Sequence, residues 1–90
     1  MPLPHKDFTA FSSTFTDKFL EQLKKLERHK REMVFKKIQK ILEHPELGKP
    51  LHAPLGGYRS ERLEKYRIIY KISANTVEFA WFEHRQDAYQ

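Results

Sequence analysis

Between His44 and Gly57 the sequence runs HPELGKPLHAPLGG, whose three prolines and three glycines make it a loop. The hydrophobic period differs on its two sides. Upstream, apolar residues recur every three or four positions, as on one face of a helix; downstream they alternate, as along a strand. A chain of 90 residues divided in this way is led towards helices from its first part laid on a sheet from its second.

Upstream, DFTAFSS (7–13) has no clean period and reads as a first strand, with Ser13 or Thr14 available to cap the helix after it. In FTDKFLEQLKKL (15–26), Phe15, Phe19, Leu23 and Leu26 form one helical stripe with Leu20 beside it. ERHKREMVFKKIQKILEHP places Val34, Ile38, Ile41 and Leu42 on one side and Lys30, Arg31, Lys36, Lys37 and Lys40 largely elsewhere, a second amphipathic helix stopped by Pro45. The junction LERHKRE is polar but lacks Gly and Pro, so one long helix is an alternative to a helical hairpin. The hairpin is preferred, because a helix of about 30 residues would leave its far half little to pack on.

Downstream, YRSERL (58–63), YRIIYKI (66–72) and TVEFAWF (76–82) are rich in aromatic and β-branched residues. Glu64-Lys65 and Ser73-Ala74-Asn75 between them suit tight hairpins, which predicts an antiparallel meander. In the middle strand Tyr66, Ile68, Tyr70 and Ile72 share the face that would meet the helices, while Arg67, Ile69 and Lys71 share the other. The expected fold is α+β in the order β-α-α-β-β-β: a helical hairpin packed on one face of a small, mainly antiparallel sheet, one domain over residues 1–90.

The net charge of +5 favours a polyanionic or acidic partner. Lys24 to Lys40 alone holds eight basic residues against two acidic ones. With no cysteine, disulfides and thiolate metal sites are excluded, and the five histidines (5, 29, 44, 52 and 84) show no ligand spacing. No cofactor motif is present: Gly56-Gly57 is not followed by GK[ST], Ser12, Ser13, Ser60 and Ser73 lack a nucleophile-elbow context, and Phe79 and Trp81 read as core or hairpin-face residues. MPLPHKDFTAFSS has no signal-like apolar core, and no stretch approaches the roughly 20 apolar residues of a membrane span, so a soluble cytoplasmic protein is expected.

Arg67 is a cation in the middle of the most apolar strand. Under the expected pairing Arg59 and Arg62 approach it from the preceding strand, and Arg85 follows the last one. Guanidinium offers a planar donor fork suited to phosphate and stays protonated, so converging arginines suggest an oxyanion site. The ending FEHRQDAYQ adds His84, able to act as acid or base near neutrality, and Tyr89, an aromatic plate for a base.

The predicted order, the segment LGGYRSERLEKYRIIYKI and the ending HRQDAY resemble the RelE/ParE superfamily of toxins from bacterial and archaeal toxin–antitoxin pairs. The motif pieces are a small-residue turn, a YR(I/V)(I/V)Y central strand and a terminal H-R-x-x-x-Y, spanning residues 55 to 89. The resemblance implies a ribosome-dependent endoribonuclease that cuts messenger RNA in the A site by attack of a ribose 2′-OH on the adjacent phosphate, without metal or cofactor. It implies that Arg67 holds the phosphate, Arg85 stabilises charge or donates a proton, and Tyr89 stacks on or orients the nucleotide. Arg59, Arg62 and Lys71 would line the same surface, and Lys36, Lys37 and Lys40 would grip ribosomal RNA. The best-known members carry lysines as candidate bases where YRSERL has Arg59 and Arg62. The base is therefore sought among His84, Glu61, Lys65 and the tyrosine, with His84 favoured.

Two other readings stay open. The superfamily includes gyrase-poisoning members, which lack the catalytic set, and an inactive member would survive as an antitoxin- or RNA-binding module. As a toxin the chain would also require a cognate antitoxin, acidic overall, to cover its basic surface.

Overall fold

The structure, a computed structural model, describes residues 11–84. Strand β1 is Ser12–Phe15, helix α1 Asp17–Lys24, helix α2 Arg28–Glu43, and a short 3-10 turn covers Pro45–Leu47. Strands β2 (Lys49–Pro50), β3 (Tyr58–Leu63), β4 (Tyr66–Ser73) and β5 (Thr76–His84) complete the chain's described elements. They form one sheet in the order β1-β5-β4-β3-β2, with β1 parallel to β5 and every other pairing antiparallel. This is the expected α+β order, with one strand added.

Local chemistry explains the differences from the sequence reading. β1 begins at Ser12 and the cap is Thr16, whose extended backbone (φ −75°, ψ 161°) lets its hydroxyl accept from the Phe19 N–H at 3.1 Å. The helices form a hairpin, because Glu27 is extended (φ −63°, ψ 157°) between α1 and α2. The added strand, β2, lies inside the proline-rich loop. Pro50 is tolerated there because β2 is the outermost strand.

One face of the sheet is covered. Phe19 of α1 and Val34, Ile38 and Ile41 of α2 pack with Ile68 and Tyr70 of β4 and Val77, Phe79 and Phe82 of β5. Phe19 is fully buried and meets the rings of Phe15, Phe79 and Phe82, so Phe19→Ala should cost about 3–5 kcal/mol.

α1 also closes an edge. β1 reaches only as far as the Phe15–Phe79 pair, which leaves the last residues of β5 without a neighbouring strand on that side. The Gln22 side chain takes its place: its Nε2 donates to Phe82 O at 2.7 Å and its Oε1 accepts from Phe82 N at 3.0 Å. Thr16 donates its hydroxyl to Ala80 O. The backbone is satisfied and the edge is blunted.

Ala80 determines what β5 presents. Ile69 pairs with Trp81 and Tyr70 with Phe79, so Ala80 is the extra residue of a β-bulge. The alternation is re-phased there. Phe79 and Phe82 both join the core, while Trp81 and Glu83 stand with Ile69 and Arg67 on the uncovered face.

Candidate nucleic-acid interface on the open sheet face

Cross-strand register arranges the open face in rows. Arg62, Arg67 and Glu83 form one row; Ser60, Ile69 and Trp81 the next; Tyr58, Lys71 and Glu78 the third. In the first row two arginines are direct cross-strand partners, and like charges so placed repel. One carboxylate offsets them. Arg67 donates to Glu83 Oε1 from Nε at 3.4 Å and from Nη2 at 3.2 Å, and both side chains are 27% exposed. Glu83 Oε2 accepts from Trp81 Nε1 at 2.9 Å. Arg62 is exposed beside this pair. The row is thus a cationic strip with one half-buried, hydrogen-bonded anion, suited to holding a phosphate.

The sequence-predicted residues divide between the two faces. Arg67, Arg62 and Lys71 share the open face, with Lys71 Nζ 5.4 Å from the Tyr58 ring centroid. Arg59 does not join them. It is the partner of Tyr70 on the helix-covered face, and its Nη1 donates to Glu46 O at 3.0 Å and Gly48 O at 2.9 Å, tying down the 3-10 turn. His84 also stands on the covered face, as the partner of Tyr66, with ring centroids 5.4 Å apart. In sequence it is favoured as a base for its place next to Arg85; the Ala80 bulge puts it on the face opposite Arg67. Arg85 and Tyr89 lie outside the described residues.

On α2, Lys36 and Lys40 are exposed. Lys37 is instead engaged with Glu61 at 3.7 Å, with side chains 21% and 26% exposed. Since α2 packs on the covered face, these lysines lie across the sheet from Arg67. Glu61 faces the same way, and Lys65 sits exposed in the β3–β4 turn. Among the described residues, Glu83 is the carboxylate in contact with Arg67. The sequence reading missed it, and gave Trp81 and Tyr58 no part in the site. Its one signal was the acid two positions after Trp81, visible only once the bulge is known. Among the described residues no group of three metal-ligating side chains occurs, and no helix is long and apolar enough to cross a membrane.

Behind the site, the loop is anchored by Tyr70. Its hydroxyl donates to Pro45 O at 2.7 Å. Burial, aided by the Glu61 carboxylate and opposed by Arg59, pushes its phenol up to about 12. Gly48 makes this possible: a Cβ there would lie 2.0 Å from the Tyr70 hydroxyl.

Comparison with known proteins agrees with this fold. A family model described as the ParE toxin of type II toxin–antitoxin systems, parDE, matches residues 14–89. A Methanocaldococcus jannaschii protein carrying the toxin name RelE4 is 29% identical over 77 residues, covering 82% of each chain. Among solved structures, a chain of the toxin–antitoxin complex RelBE2 from Mycobacterium tuberculosis superposes with a TM-score of 0.78 at 28% identity, covering 86% of this chain and 93% of that one. The isolated Escherichia coli RelE toxin gives 0.70 at 25% identity, covering 83% of this chain and 84% of its own.

Proposed function

The chain belongs to the ParE toxin family of type II toxin–antitoxin systems, within the RelE/ParE superfamily, and we propose that it is a ribosome-dependent endoribonuclease cutting messenger RNA in the A site. As the toxin of such a system it has an antitoxin as its partner. The observation carrying the enzymatic reading is the Arg62–Arg67–Glu83 row, two cations and one carboxylate on an open sheet face.

The chemistry assigned to that row is transesterification. The ribose 2′-oxygen bonds to the adjacent phosphorus while the bond from phosphorus to the 5′-oxygen breaks. Arg67 binds the phosphate as a fork, and Arg62 adds charge as negative charge gathers in the transition state. When phosphate draws Arg67 away, the Glu83 carboxylate is released to take the proton of the 2′-OH. Arg85 stabilises the charge on the leaving 5′-oxygen or gives it a proton, the role the terminal motif implies, with Tyr89 stacking on or orienting the nucleotide. Lys36 and Lys40, on the far side of the sheet, contact ribosomal RNA phosphates. The reaction takes place in the cytoplasm, where ribosomes are.

Toeprinting on ribosomes programmed with a defined message tests the reading. Cuts within the A-site codon, absent without ribosomes and lost in Arg67→Ala, are expected. An intact message at excess protein refutes it. The name of the matching family favours one second reading, a gyrase poison. That reading predicts the opposite pair of results: no cleavage, and loss of supercoiling when gyrase is assayed.

A further inference from the structure

Tyr58 on β3 and Trp81 on β5 are separated by β4, yet their rings meet across it, with centroids 5.6 Å apart and planes at 52°. Between their strands lies Ile69, fully buried although the helices pack on the other face. Trp81 is held in place because its indole N–H is given to Glu83. A lysine stands at each ring: Lys18 Nζ is 5.5 Å from the Trp81 centroid and Lys71 Nζ is 5.4 Å from that of Tyr58. Neither lysine is in an ion pair among the described residues. Around the rings stand Lys18, Arg62, Arg67 and Lys71 against Glu78 and Glu83, four cations to two carboxylates.

An apolar lid over Ile69 accounts for the burial beneath the rings. It does not account for two half-exposed aromatics that each carry a lysine, beside a strip of arginines. Rigid aromatic plates interleaved with cations are the composition that binds single-stranded nucleic acid, stacking its bases and holding its phosphates.

We propose that the Tyr58–Trp81 pair is a stacking platform for bases of single-stranded RNA, adjoining the Arg62–Arg67 phosphate strip. The proposal rests on the RNA-cleaving reading and assigns a subsite to it. Magnitudes favour exchange of lysine for base. An exposed cation–π contact is worth about 0.5–1 kcal/mol, whereas stacking a base on an aromatic side chain is worth about 1–3 kcal/mol. A displaced lysine also keeps a partner, since its ammonium can pair with the phosphate that arrives with the base. The Ile69 row and the Arg67 row are two residues apart along β4, about 7 Å, within reach of one nucleotide from base to phosphate. The rings offer no hydrogen-bond readout, so the platform discriminates bases weakly.

Trp81 is the one tryptophan in the chain, so its fluorescence reports the platform directly. The full chain is titrated with a short single-stranded RNA carrying 2′-O-methyl groups throughout, which can be bound but not cut. Saturable quenching is expected, with affinity reduced about 5- to 150-fold in Tyr58→Ala. Tyr58→Leu keeps an apolar cover on Ile69 and should lose affinity equally while melting near the wild type. Heparin, which brings charge without bases, should bind without quenching. RNA binding without quenching, or undiminished binding by Tyr58→Leu, overturns the platform. Quenching by RNA with no ribosomal cleavage would instead leave the platform standing and remove the nuclease.

Discussion

Arg67 and Glu83 are direct cross-strand partners on β4 and β5, and the guanidinium reaches a single carboxylate oxygen with two of its nitrogens. The other oxygen holds Trp81. One acid thus orients both the central-strand arginine and an aromatic ring. Removing it has separable effects on charge and on proton transfer.

Glu83→Gln retains a carbonyl acceptor for Trp81 but cannot take up a proton. Cleavage should fall about 10²- to 10⁴-fold, the usual worth of a positioned acid or base. Affinity for uncleavable RNA should hold or rise, because the charge of Arg67 is no longer offset. Single-turnover cleavage and fluorescence titration together decide it; an unchanged cleavage rate removes Glu83 as the base.

Arg67→Lys keeps the positive charge and loses the planar fork. Because the Glu83 pair is half-buried rather than sealed, stability should change by no more than about 1 kcal/mol. Cleavage should fall on the order of 10²-fold, as when one donor to a developing oxyanion is removed. A lysine variant as active as the wild type would mean that charge alone is sufficient.

His84→Ala should leave cleavage within a few-fold of the wild type, since the ring packs on Tyr66 across the sheet from Arg67. The expected loss is in stability, about 0.5–1.5 kcal/mol for the aromatic contact. Cleavage abolished in a fully folded His84→Ala protein would return the histidine to the catalytic set.

Period carried the sequence reading a long way, and a single residue limited it. The helical stripes, the meander and the assignment of Arg67 and Lys71 to the open face come from repeats of 3.6 and 2, and the structure keeps them. Uninterrupted alternation along β5 would place Trp81 and Glu83 on the core face and His84 on the same face as Arg67. The Ala80 bulge exchanges them, and nothing in TVEFAWF marks Ala80 as unpaired. Arg59 is a different case: alternation along YRSERL alone puts it on the face opposite Arg62, where the Glu46 and Gly48 carbonyls hold it.

Lysines of α2 that look alike in sequence should behave differently. Lys37 bridges to Glu61 on β3, so Lys37→Ala should lower stability by up to about 1 kcal/mol and barely alter ribosome binding. Lys36→Ala with Lys40→Ala should leave melting unchanged and weaken binding. The slope of log affinity against log salt should also fall, by just under one for each phosphate no longer neutralised. Binding isotherms at several salt concentrations separate the two cases.

Tyr70 gives the fold an alkaline limit of calculable sign. Its phenol ionises near 10 in the unfolded chain and is held up to about 12 in the fold, chiefly by burial. Below pH 10 both states are protonated and the contribution to stability is whole. As pH rises further the unfolded chain releases its proton first, so stability falls, by about 2–3 kcal/mol in all, until the folded phenol ionises too. Tyr70→Phe removes this dependence but leaves Pro45 O without its donor, at about 1–3 kcal/mol. Urea midpoints at pH 9 and pH 11 should therefore converge: the wild type starts higher and drops further, whereas Tyr70→Phe starts lower and drops less. Parallel losses in the two proteins would show that the fold does not hold the Tyr70 phenol neutral.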